Sequence, residues 1–343
     1  MGGFEQYAYI VDYFFVWVNV KLKTDDPPRG RITNMKTDTF IVGEDHVAPT
    51  DIGEPCVSDV PDACSESGAY QLYLGDCLEK MAAIPDNSVD LVLCDLPYGT
   101  TKCKWDTIID MDGLWAHYTR VLKKPHGVVL LFGQQPFTTR LVASNYKWFK
   151  YNLIWRKNRT TQFLLANYRP MKCTEDVCVF SPGGAAAASR KKGNMTYNPQ
   201  GLKSVDIKKK NSSARIGKML NQPHHLGPNN KLIGDSEYTQ KFTNYPNEIL
   251  EFSVESTTIH ETQKPVPLTE HLILTYSNAG DMVLDNTMGS GTTGIGCLNT
   301  GRRFIGIELE ERYFELAADR IEKHEAEMNG LGVEVEVEVE VDV

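Results

Sequence analysis

At 343 residues, the chain is long enough to bury a full α/β core and carry one smaller module. Hydrophobic content is an ordinary 41%, and no apolar run reaches the roughly 18 residues of a membrane span, so a membrane protein is not expected. The eight cysteines (56, 64, 77, 94, 103, 173, 178 and 297) form neither a C-x-x-C pair nor a His/Cys cluster of zinc spacing, and net charge is −9; a disulfide framework and a metal site are not indicated, and a reducing cytoplasm suits the thiols.

Residues 1–68 combine sparse periodicity with many turn formers and an acidic second half, and are expected to be a poorly ordered extension. Within them, the aromatic-rich residues 9–20 are interrupted by Asp12 and preceded by no basic residue, so they read as a strand or partner-facing patch and not as a signal peptide. A strand is expected at 70–74, a helix at 77–83, a buried strand at 89–94, a helix at 114–122, a strand at 127–132, a helix at 136–144 and two closing strands at 151–155 and 176–180. After Pro182-Gly183-Gly184 the composition changes, and residues 185–255 are rich in Asn, Lys, Ser, Gly and Pro. Between 147 and 241 there are 18 Lys or Arg against five acids, a local balance of +13 that leaves −22 on the rest. Such segregation is expected of a phosphate-binding face on an otherwise acidic protein, with Arg190-Lys191-Lys192, Lys208-Lys209-Lys210 and Arg215 as its candidate contacts. Pro265 and Pro267 open a helix over 268–277, and Lys264 just before it can meet an anionic group. A helix over 310–325 follows, and the alternating valines and acids of 333–343 read as a low-complexity tail.

Asp95-Leu96-Pro97-Tyr98 ends the apolar run 89–94. The amine of a nucleobase is a poor nucleophile because its lone pair is delocalised into the ring. A catalyst must draw off amine hydrogens as the nitrogen pyramidalises; a carboxylate such as Asp95 accepts one N–H and an aimed backbone carbonyl the other. Pro97 restricts Leu96 to extended conformations and so helps aim the Leu96 carbonyl, while Tyr98 offers a stacking face. Alone, the tetrapeptide is merely a strand end with a turn. Residues 281–308 change its meaning: they read as strand, glycine loop, helix and a second strand ending in an acid. Gly289 and Gly291 allow close backbone approach to a ligand, and Glu308, 17 residues beyond Gly291, is placed to accept both hydroxyls of a ribose. The loop has neither the full G-x-G-x-x-G spacing nor a Walker lysine, which favours a nucleoside cofactor without a phosphate chain.

These motifs resemble those of the amino methyltransferases of DNA that use S-adenosylmethionine, over most of residues 70–325. Asp95-Leu96-Pro97-Tyr98 is similar to the family's catalytic D/N/S-P-P-Y, and Asp285 to Thr292 to its cofactor loop. His260-Glu261-Thr262-Gln263-Lys264-Pro265 resembles its H-P-T-Q-K-P element, and Gly75-Asp76 an acidic element whose Asp faces the cofactor adenine. Catalytic motif before cofactor loop matches the permuted beta class. The resemblance implies a Rossmann-like α/β fold with a mostly parallel seven-stranded sheet, helices on both faces and an inserted target recognition region. It divides the chain into a catalytic half at 69–184, a target recognition insert at 185–255, a cofactor half at 256–325 and a tail at 326–343. It assigns Asp95, Leu96, Pro97 and Tyr98 to catalysis, and Asp76, Asp95, Lys264, Asp285, Met288, Gly289, Gly291, Thr292 and Glu308 to the cofactor. Two positions depart from the family pattern: Leu96 replaces a proline, acting through its carbonyl in a looser loop, and Met288 replaces an aromatic, whose space a thioether can fill. The activity implied is methylation of adenine N6 in duplex DNA after base flipping, without a metal, in the cytoplasm of a bacterium or of a phage-infected cell. N4-cytosine methylation, an inactive DNA-binding homologue, and an RNA or protein methyltransferase are the alternatives; monomer and dimer are both open.

Overall fold

A computed structural model describes residues 4–11, 14–21, 60–99, 106–210, 237–255 and 263–330. Strands β1 (Phe4–Val11) and β2 (Phe14–Lys21) pair antiparallel as a separate two-stranded unit, where a strand or patch was expected. The main unit is built on β3 (Ala63–Cys64), β4 (Tyr70–Leu74), α1 (Cys77–Met81), β5 (Leu91–Cys94), α2 (Met111–Val121), β6 (Val128–Gly133), α3 (Phe137–Ser144), β7 (Phe149–Thr161) and β8 (Lys172–Phe180). It continues through a hairpin, β9 (Lys203–Lys210) and β10 (Glu237–Thr243), then β11 (Ile249–Glu251), α4 (Val266–Tyr276), β12 (Met282–Asp285), α5 (Thr292–Asn299), β13 (Arg303–Glu308) and α6 (Glu311–Met328).

The main sheet has nine strands in the order β11-β7-β8-β6-β5-β12-β13-β4-β3. This corrects the expected seven. β3, from residues read as the loose extension, adds an antiparallel edge, and β11, from the insert, adds the other edge parallel to β7. β8 runs antiparallel to both its neighbours, so the sheet is mixed. The central strands β5, β6 and β12 are buried on both faces, which is why β5 and β6 read as unbroken apolar runs.

Alternation along each strand sorts the core into two layers. Leu91, Leu93, Leu130, Phe132, Val283 and Phe304 face α4, α5 and α6 through Leu272, Ile295, Phe314 and Ile321. Val92, Cys94, Val129, Leu131, Leu284 and Ile307 face α1, α2 and α3 through Met81, Leu114, Tyr118 and Leu141. Helix starts follow local chemistry: Asp76 accepts from the Leu78 and Glu79 amides, and Asp110 from the Gly113 amide at 2.9 Å. Among the described residues, no helix is long and apolar enough to cross a membrane.

Candidate active site

β4, β13, β12, β5 and β6 run parallel, so their C-terminal ends share one edge, and residues far apart in sequence meet there. Gly75, Glu308, Asp285, Asp95 and Gln134 sit just at or beyond these ends, and all five line one cavity of about 440 Å³. Its two ends touch: Thr287 Oγ1 donates to the Asp95 carbonyl at 3.2 Å.

At the Asp95 end, this partly buried carboxylate belongs to a cluster of largely buried side chains. The Lys264 ammonium bonds Asp95 Oδ2 and lies 3.0 Å from Glu175 Oε1, while Lys157 pairs with Glu175 Oε2 at 2.7 Å. The Tyr98 hydroxyl is 2.7 Å from Asp95 Oδ1 and 2.8 Å from Glu175 Oε1. A phenol carries one proton, so it can serve only one of these acids at a time. Two acids and two ammonium groups make the cluster neutral, which is what burial demands. Burial pushes the Asp95 carboxyl up; Lys264 pulls it down and Glu175 pushes it up, and the net is a raised value. Burial acts upward on Glu175 too, but Lys264 and Lys157 outweigh it and hold its carboxyl at about 2. The Tyr98 phenol is held well above its usual range by burial and by both acids. Its ring stacks on Phe137 with centroids 4.9 Å apart, which braces it.

Leu96 is buried in the core layer beneath α2, only 2% exposed. A side chain at this position thus anchors the motif, where a loosened loop was expected. Gly99, at φ +67°, closes the turn with its amide on Asp106 at 2.8 Å.

The glycine-loop end is built from backbone. Gly289 and Gly291 adopt φ +52° and +74°, conformations that L side chains rarely take. Glu308, almost fully buried, accepts from the Gly289 amide at 2.8 Å and the Glu310 amide at 3.0 Å, which fixes its carboxylate at the cavity wall. Asp285 accepts from Thr293 Oγ1 at 2.6 Å and from the Thr287 amide at 3.1 Å; burial raises its carboxyl to about 7 against the pull of these bonds. The acid therefore staples the loop to α5. Arg320 does the same from α6, donating to the Ser290 carbonyl and Thr292 Oγ1. Met288 is buried under the loop. Asn286, in the cavity wall, accepts from Tyr118 at 2.6 Å, yet its Nδ2 is a buried donor without an acceptor.

The expected residues divide by location. Asp95 to Tyr98, Lys264, Asp285, Met288, Gly289, Thr292 and Glu308 all line the cavity. Lys264 lies between Asp95 and Glu175, not at Glu308. Asp76 is exposed beside the rim residues Gly75 and Cys77, with Oδ1 engaged in capping α1. Arg190, Lys191 and Lys192 stand apart from the cavity. β8 runs against β6, so the chain leaves it at the N-terminal end of β6, where the Thr196 amide meets the His126 carbonyl at 2.9 Å. Lys208, Lys209 and Lys210 lie on β9, the first two exposed; Arg215 and residues 256–262, including His260, fall outside the described residues. Glu175, Lys157 and Asn286 are absent from the sequence expectations. For Glu175 the available signal is a pair of acids, with Asp176, that leads directly into the apolar run Val177 to Phe180.

The chain has a Rossmann-like methyltransferase fold, whose cavity has the Asp95 carboxylate at one end and the glycine loop with Glu308 at the other. The chain belongs to the DNA methylase family, whose model matches residues 89–319. It is 28% identical to the DNA adenine methyltransferase YhdJ of Escherichia coli (strain K12) over 265 residues, 74% of this chain and 83% of that protein. To the Type II methyltransferase M.HinfI of Haemophilus influenzae it is 25% identical over 288 residues, 75% of this chain and 69% of the relative. The solved structure of the PvuII DNA methyltransferase, cytosine-N4-specific, shares the fold at a TM-score of 0.51 and 15% identity, covering 80% of this chain and 97% of that one.

Proposed function

We propose that this chain transfers a methyl group from S-adenosylmethionine to the N6 amine of an adenine flipped out of duplex DNA. The observation that carries this is the single cavity in which Asp95 and the Glu308 cradle meet, joined by the Thr287 bond.

The residues present fit the cofactor. Glu308 offers a fixed carboxylate to a ribose, and the glycine loop leaves open space beside Gly289. S-adenosylmethionine, when bound, supplies an electrophilic methyl group on a sulfonium. The chain's own residues prepare the amine. An Asp95 carboxylate oxygen accepts one amine hydrogen and the Leu96 carbonyl the other, which returns lone-pair density to nitrogen. Tyr98, braced by Phe137, holds the plane of the base. The Lys264 ammonium on Asp95 has a second partner in Glu175, so it keeps an acid beside it as the amine engages Asp95. As the N–C bond forms, the amine proton leaves toward Asp95, whose raised carboxyl suits it to receive a proton. Proximity and orientation supply most of the rate.

Adenine is favoured by the relative of 28% identity, a DNA adenine methyltransferase, whereas the cytosine-specific neighbour shares the fold alone. Single-molecule sequencing of DNA from cells expressing the chain, followed by digestion to nucleosides, tests the reading. N6-methyladenine in one sequence context is expected; N4-methylcytosine without N6-methyladenine overturns the adenine assignment.

A further inference from the structure

The connection between β7 and β8 presents an apolar surface that the fold does not use. Phe163, Leu164 and Tyr168 are 74%, 78% and 86% exposed. Side chains of this size are rarely left in water together without a partner. The tip is nonetheless built. Gln162 takes φ +67° and its carbonyl accepts from the Leu165 amide at 3.0 Å. The Leu165 carbonyl accepts from the Tyr168 and Arg169 amides at 2.9 and 3.0 Å, and Arg169 Nη2 donates to Gln162 Oε1 at 2.9 Å. Self-bonded backbone holds the apolar side chains outward.

Two further observations select the partner. Residues 156–172 contain five Lys or Arg and no acid, and Arg159, Arg169 and Lys172 pair with no carboxylate among the described residues. The tip is also continuous with the catalytic cavity: Arg159 and Thr161 line its wall, and Lys172 donates to Gln134, another wall residue, at 2.9 Å. Apolar side chains ringed by unpaired cations, at the mouth of a site that must receive a base from a duplex, match a polyanion whose stacked interior is opened nearby.

We propose that the tip formed by residues 162–171 is a wedge that enters the duplex beside the target and fills the gap the flipped base leaves, with Phe163 and Leu164 inserted and Arg159, Arg169 and Lys172 on flanking phosphates. The inference rests on the methyltransferase reading above and adds to it the segment that opens the helix. A side chain that fills the gap also blocks the flipped base from returning to its partner, so it matters most where a partner competes for that base.

The test compares two oligonucleotide duplexes carrying the methylated site, one with the target paired and one with an abasic position opposite it. For the Phe163→Ala/Leu164→Ala double variant, kcat/KM on the paired duplex should fall about tenfold or more, the scale of one lost base-stacking contact. On the abasic-opposed duplex it should stay close to wild type, and Phe163→Trp should retain activity on both. Equal loss on both duplexes, or no loss on either, overturns the wedge. So does a dimer in the wild type that the double variant dissolves, because the tip is then an interface between copies. Tyr168→Ala, on the same tip, repeats the comparison if the double variant fails to bind S-adenosylmethionine. Wild-type protein that methylates neither duplex overturns the methyltransferase reading itself and the wedge with it, whereas an active wild type with an indifferent variant overturns the wedge alone.

Discussion

The two ends of the cavity achieve rigidity by opposite means. At the cofactor end, backbone does the positioning: glycines at positive φ, amides on Glu308, and a loop clamped by Asp285 and Arg320 against α5 and α6. At the catalytic end, side-chain charge does it: Asp95, Glu175, Lys157, Lys264 and Tyr98 hold one another in a neutral cluster. The first end should therefore fail when atoms are added, and the second when charge is altered.

The sharpest break is Asp95→Ala. It removes the amine acceptor and should cost about a thousandfold in methyl transfer, while S-adenosylmethionine binding, measured by calorimetry, stays within a few-fold of wild type. Equal loss of both would mean that the two ends are not separable. Gly306→Ala tests the other end without touching charge. Its Cβ would lie 2.4 Å from Met288 Sδ and 2.7 Å from Phe304 Cε1, beneath the loop. Overpacking of this kind costs about 1–3 kcal/mol, so the melting temperature and cofactor affinity should both fall, with little change in the pH profile of the remaining activity. The subtlest test is a pair of opposite shifts. Asp95 must be ionised to accept the amine, so activity is lost as pH falls through its carboxyl pKa. Glu175 raises that pKa and Lys264 lowers it. Glu175→Gln should accordingly move the acid limb of the pH–kcat profile to lower pH, and Lys264→Gln should move it to higher pH. Shifts of the same sign would show that the cluster does not govern Asp95 through charge.

Legibility in the sequence follows the same division. The glycine loop and Glu308 can be read because a strand, a loop and the next strand are contiguous, and Asp95 to Tyr98 because the proposed chemistry falls on four adjacent residues. Glu175 lies 77 residues from the tyrosine it bonds, and Lys264 lies 169 residues from Asp95. Their partnership exists only because β8 pairs with β6, β6 with β5, and α4 starts at the same edge. The basic insert illustrates the converse. Its charge is plain in the sequence, but β8 runs against β6, and this carries Arg190 to Lys192 to the end of β6 opposite the cavity.

By itself, then, the sequence determined the fold class and singled out Asp95 and the glycine loop as candidates, because local chemistry and apolar periodicity act over a few residues. Tertiary structure alone decided the nine-strand order, the ion cluster around Asp95, the anchoring of Leu96, and which basic residues stand at the mouth of the cavity. Those depend on which strands lie side by side and in which direction, and strand order is set by burying both faces of the sheet at once, a property of the whole core.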